Sequence, residues 1–229
     1  MSSRPPAGPP RSARAAALPG AAIGVATLAL LAVVAFGVWL RFVDRAPLPV
    51  DLWWHDLLQL DRGTPAFAIA VFLADVGGGV GAAACTAIAA AALLALRRPR
   101  DAAAVATAMF AGVLCSELAK ALIARPRPWD PLYHASGYSY PSGHSMGAAA
   151  LALSVLLVVA GSGSVHRGVA RAVGIAATCW ILLMMWSRAA LHVHWLTDTL
   201  AGALLGIAVA VLARRFWLAA PAGDVGGRA

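Results

Sequence analysis

At 229 residues, 61% hydrophobic and 12% charged, with a mean hydropathy of +0.77, the chain lies outside the range of a soluble globular domain. Its formal net charge of +8 is scattered over the ends of apolar segments and forms no basic stripe, which speaks against nucleic acid as a partner and for membrane orientation. Cys85, Cys115 and Cys179 are odd in number, sit inside apolar stretches without ligand spacing, and read as small core hydrophobes with no disulfide or metal implied.

Residues 1–16, rich in Pro, Ser and Arg, read as a disordered cytoplasmic tail. The apolar block after them is longer than a signal core and lacks a small-residue cleavage site, so it is expected to stay as a span. A bilayer crossing takes about 20 apolar residues, and six blocks meet that: 18–40, 76–96, 102–123, 144–160, 169–187 and 195–213. Residues 17–217 thus form one six-helix membrane domain, all-α, with 218–229 as a C-terminal tail. Between the first two blocks, Trp53, Trp54 and the alternation of Leu57, Leu58 and Leu60 with Asp56 and Asp61 predict an interfacial amphipathic turn whose role is anchoring. Pro65 to Asp75 predicts a short helix at the membrane surface, set off from the second span by Gly77-Gly78-Gly79.

Near the end of the third span stands Lys120, the one lysine among 18 basic residues. An unpaired ammonium there is costly, so it needs an anion, either Glu117 one turn earlier or a bound phosphate. Arg125-Pro126-Arg127-Pro128 then ends the helix and stiffens an extended segment, aiming the Arg127 guanidinium over a pocket. Arg125 is equally consistent with contacting lipid headgroups. The aromatic stretch Trp129 to Tyr140, with Tyr133, Tyr138 and Tyr140, either covers that pocket or anchors at the interface.

Pro141-Ser142-Gly143-His144 opens the fourth span. Ser142 holds an N-cap position, free N–H groups at such a start make an anion seat, and Gly143 admits a phosphate close to the backbone. Past the fifth span come Ser187-Arg188, then His194 and Asp198 spaced i, i+4, which puts both on one face of the sixth helix with the carboxylate holding one ring nitrogen. His192 lacks an Asp at four, and His55, His134 and His166 read as loop histidines.

Arg4, Arg11, Arg14, Arg97, Arg98, Arg100, Arg167, Arg171, Arg214 and Arg215 fall on one side of a six-span layout, the expected cytoplasm, with both termini there. Loop 41–64, loop 124–143 and turn 188–194 fall on the other, so the three polar clusters meet at the outer membrane interface. Lys120, Arg125, Arg127 and Arg188 stand there against the charge bias, and an anionic ligand is the simplest reason. The lysine and arginines can neutralise phosphate oxygens, Ser142 and Gly143 can donate hydrogen bonds, and His144 and His194 can handle a proton and a nucleophilic attack.

Lys120 with six residues between it and Arg127-Pro128, then Pro-Ser-Gly-His, then Ser-Arg with His194 and Asp198 resembles the type-2 phosphatidic acid phosphatase superfamily, related to bacterial acid phosphatases and vanadium haloperoxidases. The three motifs span residues 120–198 without substitution. The resemblance implies a metal-free, cofactor-free hydrolysis of a lipid phosphate or pyrophosphate in the bacterial cytoplasmic membrane. In it His194 attacks phosphorus to give a phosphohistidine, Asp198 holds its ring, and His144 protonates the leaving group and later activates water. Lys120, Arg127, Ser142, Gly143 and Arg188 would bind the phosphate. Undecaprenyl pyrophosphate, phosphatidylglycerol phosphate and phosphatidic acid are the candidate substrates, and oligomeric state stays open. The rival readings are a lipid phosphotransferase and a non-catalytic lipid transporter.

Overall fold

Proline marks the helix starts: Pro19 stands just ahead of one helix, and Pro49, Pro65 and Pro99 each begin another. Its missing N–H is no loss there and its fixed φ suits the first turn. A computed structural model describes residues 18–163 and 165–219; the expected N-terminal tail and most of the expected C-terminal tail lie outside them. Among the described residues there are eight helices and no strand: α1 Gly20–Phe42, α2 Pro49–Leu57, α3 Pro65–Val76, α4 Gly79–Ala95, α5 Pro99–Ile123, α6 Gly143–Ala160, α7 Arg167–Ala190 and α8 Leu196–Ala219.

Five of these are long and apolar enough to cross a bilayer, and α3 with α4, bent by 58° at the glycines, make a sixth. The chain is a multi-pass membrane protein. Its large apolar side chains face outward along the helices, Leu28 and Leu31 on α1, Ile88 on α4, Phe110 and Leu118 on α5, and Leu182 on α7 among them, as a lipid solvent requires. The three cysteines are exposed on those outer faces, so they are lipid-facing rather than core residues. α4 has 17 residues and spans only about 25 Å at about 1.5 Å per residue. Residues Ala70, Leu73 and Ala74 of α3 are buried, and Ser187 Oγ donates to Ala70 O at 2.7 Å. The expected surface helix is therefore part of the bundle wall.

α8 is the axis: 67% of its apolar stretch is buried, against 11% for α7. It lies so close to α6 that a Cβ on Gly202 would run into the Ser142 carbonyl, and one on Gly206 into the Met146 carbonyl. Small residues permit such approach where no hydrophobic drive exists between helices in lipid. α8 continues to Ala219, into the stretch expected to be tail.

The end of the bundle away from the clusters is tied by Arg214, which donates to Asp101 at 2.7 Å, and by Arg98, which donates to the same carboxylate at 2.8 Å. At the cluster end, the chain leaves α5 through Ala124 in the left-handed conformation (φ 55°) and runs without regular secondary structure to Ser142, doubling back so that Ser139 N donates to Arg125 O at 2.9 Å. Arg41, Arg45 and Arg62 also stand at that end, so the cations placed against the charge bias are more than the four expected.

Candidate active site

Lys120 from α5, Arg127 from the 124–142 segment, Gly143 and His144 from the start of α6, Arg188 from the last turn of α7 and His194 from the turn before α8 line one cavity of about 440 Å³. Three segments far apart in sequence converge as expected. Ala74, Asp75 and Gly78 from the α3–α4 bend, with Tyr133, His134 and Ser136 from the 124–142 segment, complete the wall.

Each cation is held differently. Arg188 is 2% exposed, its Nε and Nη1 have no hydrogen-bond partner, and its guanidinium lies 5.4 Å from the centre of the Tyr133 ring. Buried donors left open in this way suit an incoming anion. Arg127 is the opposite case. Its Nη1 donates to Val193 O at 2.5 Å, its Nε to Gly137 O at 3.0 Å, and its Nη2 to Ser136 O at 2.9 Å and Tyr138 O at 3.1 Å. Burial lowers its pKa from the usual arginine range, with Asp198 and Glu117 opposing the shift. Lys120 Nζ pairs with Glu117 Oε1 at 2.5 Å while still bordering the cavity, so both anions considered from sequence remain compatible with its position.

His194 Nε2 lies 3.2 Å from Arg127 Nη1. A guanidinium can only donate, so that nitrogen carries the lone pair and the proton sits on Nδ1. Burial pushes the imidazole well below its usual range, with Arg127 and Arg188 acting in the same direction. Nδ1 has no hydrogen-bond partner and stands 3.8 Å from Asp198 Oδ2. The expected placement on one helix face needs correction, because α8 begins only at Leu196 and His194 reaches Asp198 from the preceding turn. His144 Nε2 donates to Ala74 O at 3.1 Å, which leaves Nδ1 as the unprotonated nitrogen.

Ser142 and Asp198 stand behind the wall, both fully buried. Ser142 Oγ accepts from Ser145 N at 3.4 Å, and its own N–H donates to Asp198 O at 3.0 Å. That N–H is therefore committed, and the anion seat expected at the helix start narrows to the N–H groups of Gly143 and His144.

Arg125 is a second correction. It is wholly buried, not at the lipid surface, and donates to Asp198 Oδ1 at 2.6 Å, to Thr197 Oγ1 at 2.8 Å and to Asp51 Oδ2 at 2.8 Å. Asp51 also accepts from Thr197 N at 2.8 Å and from Leu48 N at 3.0 Å. The predicted interfacial turn is thus a helix, α2, that turns Asp51 and His55 inward. Among the aromatics, Tyr133 lines the cavity and donates to Asp75 Oδ1 at 2.6 Å, which raises its pKa. Tyr140 instead is buried against α1, donating to Val33 O at 2.7 Å, and Tyr138 is exposed.

His192 points away from the cavity, to Asp130 and the Leu58 carbonyl, and is joined there by His55. These two histidines with Asp130 are the one group among the described residues whose ligand atoms could hold a metal ion.

The chain is similar to known proteins. The model of the PAP2 superfamily matches residues 101–221. Phosphatidylglycerophosphatase B of Bacillus subtilis (strain 168) is 35% identical over 104 residues, 45% of this chain and 51% of that protein. The chain thus matches about half the length of that curated relative. The crystal structure of a transmembrane PAP2-type phosphatidylglycerolphosphate phosphatase from Bacillus subtilis superposes with a TM-score of 0.71 at 24% identity, covering 81% of this chain and 94% of that one.

Proposed function

This chain belongs to the PAP2 superfamily, and from that membership we propose that it hydrolyses a phosphate monoester or pyrophosphate on a membrane lipid through a phosphohistidine. The observation that carries the reading is one cavity lined by Lys120, Arg127 and Arg188 together with His144 and His194. Three cations and two imidazoles around a space that admits a phosphate headgroup are what in-line phosphoryl transfer requires when charge stabilisation comes from side chains.

In the proposed mechanism Arg188 and Lys120 bind the phosphate oxygens, with Gly143 letting them approach the backbone. His194 Nε2 attacks phosphorus. Its Nδ1 proton closes the 3.8 Å gap to Asp198 as positive charge develops on the ring. Arg127, which donates to Nε2 in the resting state, moves its donor to the phosphate. His144, taking a proton on Nδ1, leaves Ala74 O as an imidazolium and protonates the departing oxygen; the neutral ring that results then takes a proton from the water that cleaves the phosphohistidine.

A lipid is the proposed substrate because a second cavity of about 270 Å³ shares Gly79, Lys120, Gly143 and His144 with the first and continues along Ala82, Met109 and Met146 between α4, α5 and α6. The first carbons of an acyl or prenyl chain would lie there while its headgroup reaches the cations. Phosphatidylglycerol phosphate is the first candidate, from the name of the relatives, with phosphatidic acid and undecaprenyl pyrophosphate behind it. We place the site on the outer face of the bacterial cytoplasmic membrane, with both termini inside. The test is phosphate release by detergent-solubilised protein in EDTA across those three lipids, with His194→Ala alongside. Release abolished by the variant supports the reading; transfer of phosphate to an acceptor lipid without release would replace it by a transferase.

A further inference from the structure

We infer that His55, Asp130 and His192 form a binding site for a divalent transition cation of the zinc type, in the loop layer beside the phosphate cavity and separate from it. None of the three residues lines that cavity, so the inference stands independently of the proposed hydrolysis.

The protons argue for a cation. His192 Nε2 lies 2.9 Å from Leu58 O, and a carbonyl only accepts, so the proton is on Nε2. Its Nδ1 then turns a lone pair toward Asp130 Oδ2 at 3.1 Å. On the other carboxylate oxygen, His55 Nε2 stands at 2.8 Å. The outer nitrogen of His55 is buried without a hydrogen-bond partner, and the nearest acceptor is Asp56 Oδ1 at 3.5 Å. His192 thus has the arrangement of a metal-ligating histidine, its outer N–H held by a carbonyl and its inner lone pair facing the carboxylate. His55 reaches the same arrangement when an ion takes its Nε2 and its proton moves to Nδ1, on the side of Asp56.

Geometry and donor type select the ion. The three ligand atoms lie within 4.8 Å of one another. A tetrahedral zinc site with bonds of about 2.0 Å has ligand separations of about 3.3 Å, so the contacts of 2.8 and 3.1 Å widen slightly on binding, and the two rings, 26° from parallel, fan out until the ion lies in both planes. Two imidazole nitrogens with one carboxylate suit zinc and its transition-metal neighbours rather than magnesium or calcium, which prefer oxygen donors. The Asp130 side chain is 43% exposed, which gives the ion a way in and leaves room for water as a fourth ligand. His192 also keeps a left-handed backbone (φ 52°) that a glycine would hold without strain. The ring is held there stacked on His55, with centroids 4.0 Å apart.

A bound ion would join α2, the 124–142 segment and the turn carrying His194. The experiment is calorimetric titration of zinc chloride into the EDTA-stripped full-length protein in detergent at neutral pH, with cobalt substitution as a spectroscopic readout. One zinc per chain is expected, with a raised thermal midpoint and the absorption bands of tetrahedral cobalt. Asp130→Ala, a change on a partly exposed side chain, and His192→Gly, which suits the backbone, should each weaken zinc binding by more than the ~10–100-fold that outer-shell partners carry. His194→Ala should bind zinc unchanged. No bound zinc, or zinc bound equally well by Asp130→Ala and His192→Gly, would overturn the proposal and leave a proton on His192 as the cation between the groups.

Discussion

Asp198 gives its closest contact to Arg125, at 2.6 Å, and stands 3.8 Å from His194. The carboxylate expected to orient the nucleophile is therefore itself oriented first, by a guanidinium that also holds Asp51. With Oδ1 engaged by Arg125 and Oδ2 accepting from Trp195 N at 3.0 Å, Asp198 is fixed before any substrate arrives, and His194 comes to it.

Removing Arg125 leaves two buried carboxylates, Asp51 and Asp198, without their shared cation. Breaking a buried pair in this way costs roughly 3–5 kcal/mol. Arg125→Ala is expected to lower the thermal midpoint sharply and to lose activity with it. Asp51→Asn, which keeps the shape and one accepting oxygen and leaves Arg125 paired with Asp198, should reduce stability less, as thermal melts of the two variants side by side will tell.

Arg188 tests the phosphate clamp. With its Nε and Nη1 unpartnered, it gains most from an anion. Vanadate or inorganic phosphate should raise the thermal midpoint of the wild type and leave Arg188→Ala unmoved. The same variant should lose about 10²–10³-fold in kcat. An unchanged vanadate shift in the variant would remove Arg188 from the phosphate site.

The pH profile follows from His194. Attack requires the neutral ring, and burial together with Arg127 and Arg188 holds its pKa well below the usual imidazole range. Protonation therefore begins to remove the nucleophile only as pH falls beneath that range, about 6.5. The acid limb of kcat/KM should lie lower than an ordinary histidine gives, and Arg127→Gln, which takes away one of the depressing charges, should move it upward. An acid limb at or above the ordinary value in the wild type would contradict the environment described.

Gly202→Ala tests the packing that sets the site. The added carbon would strike the Ser142 carbonyl, pushing the start of α6 away from α8. Overpacking of this kind costs about 1–3 kcal/mol. Loss of phosphate release should exceed what the stability change explains, because Gly143 and His144 move with α6.

What the sequence made legible was set by local rules. Lys120, Gly143, His144, Arg188 and His194 each stand beside a helix end, and helix ends are marked by proline, serine and the limits of apolar blocks, so their convergence followed from counting spans. The bend at Gly77 to Gly79 was legible for the same reason. Arg125 was misplaced because its partner Asp51 lies 74 residues away and no spacing rule links an extended arginine to a carboxylate in a separate loop helix. His55 was taken for a loop histidine because α2 is short and its inward face is set by Asp130 and His192, also distant in the chain. Alone, Arg98 and Arg214 read as topology signals, whereas both are tied to Asp101 and brace the far end of the bundle.

The hydrogen bond from Ser142 N to Asp198 O makes the chain between them a closed excursion: it departs down α6, turns, and returns up α7 to the point it left. The two ends of that hairpin answer to different demands. One end must keep atomic register with the cavity, whereas the other is held only by the brace at the far end, where Arg98 donates to Ser162 Oγ. Insertions or a fused reporter in the turn after α6 should therefore leave catalysis intact, and relatives adapted to thicker membranes can lengthen both helices by matching turns without redesigning the chemistry.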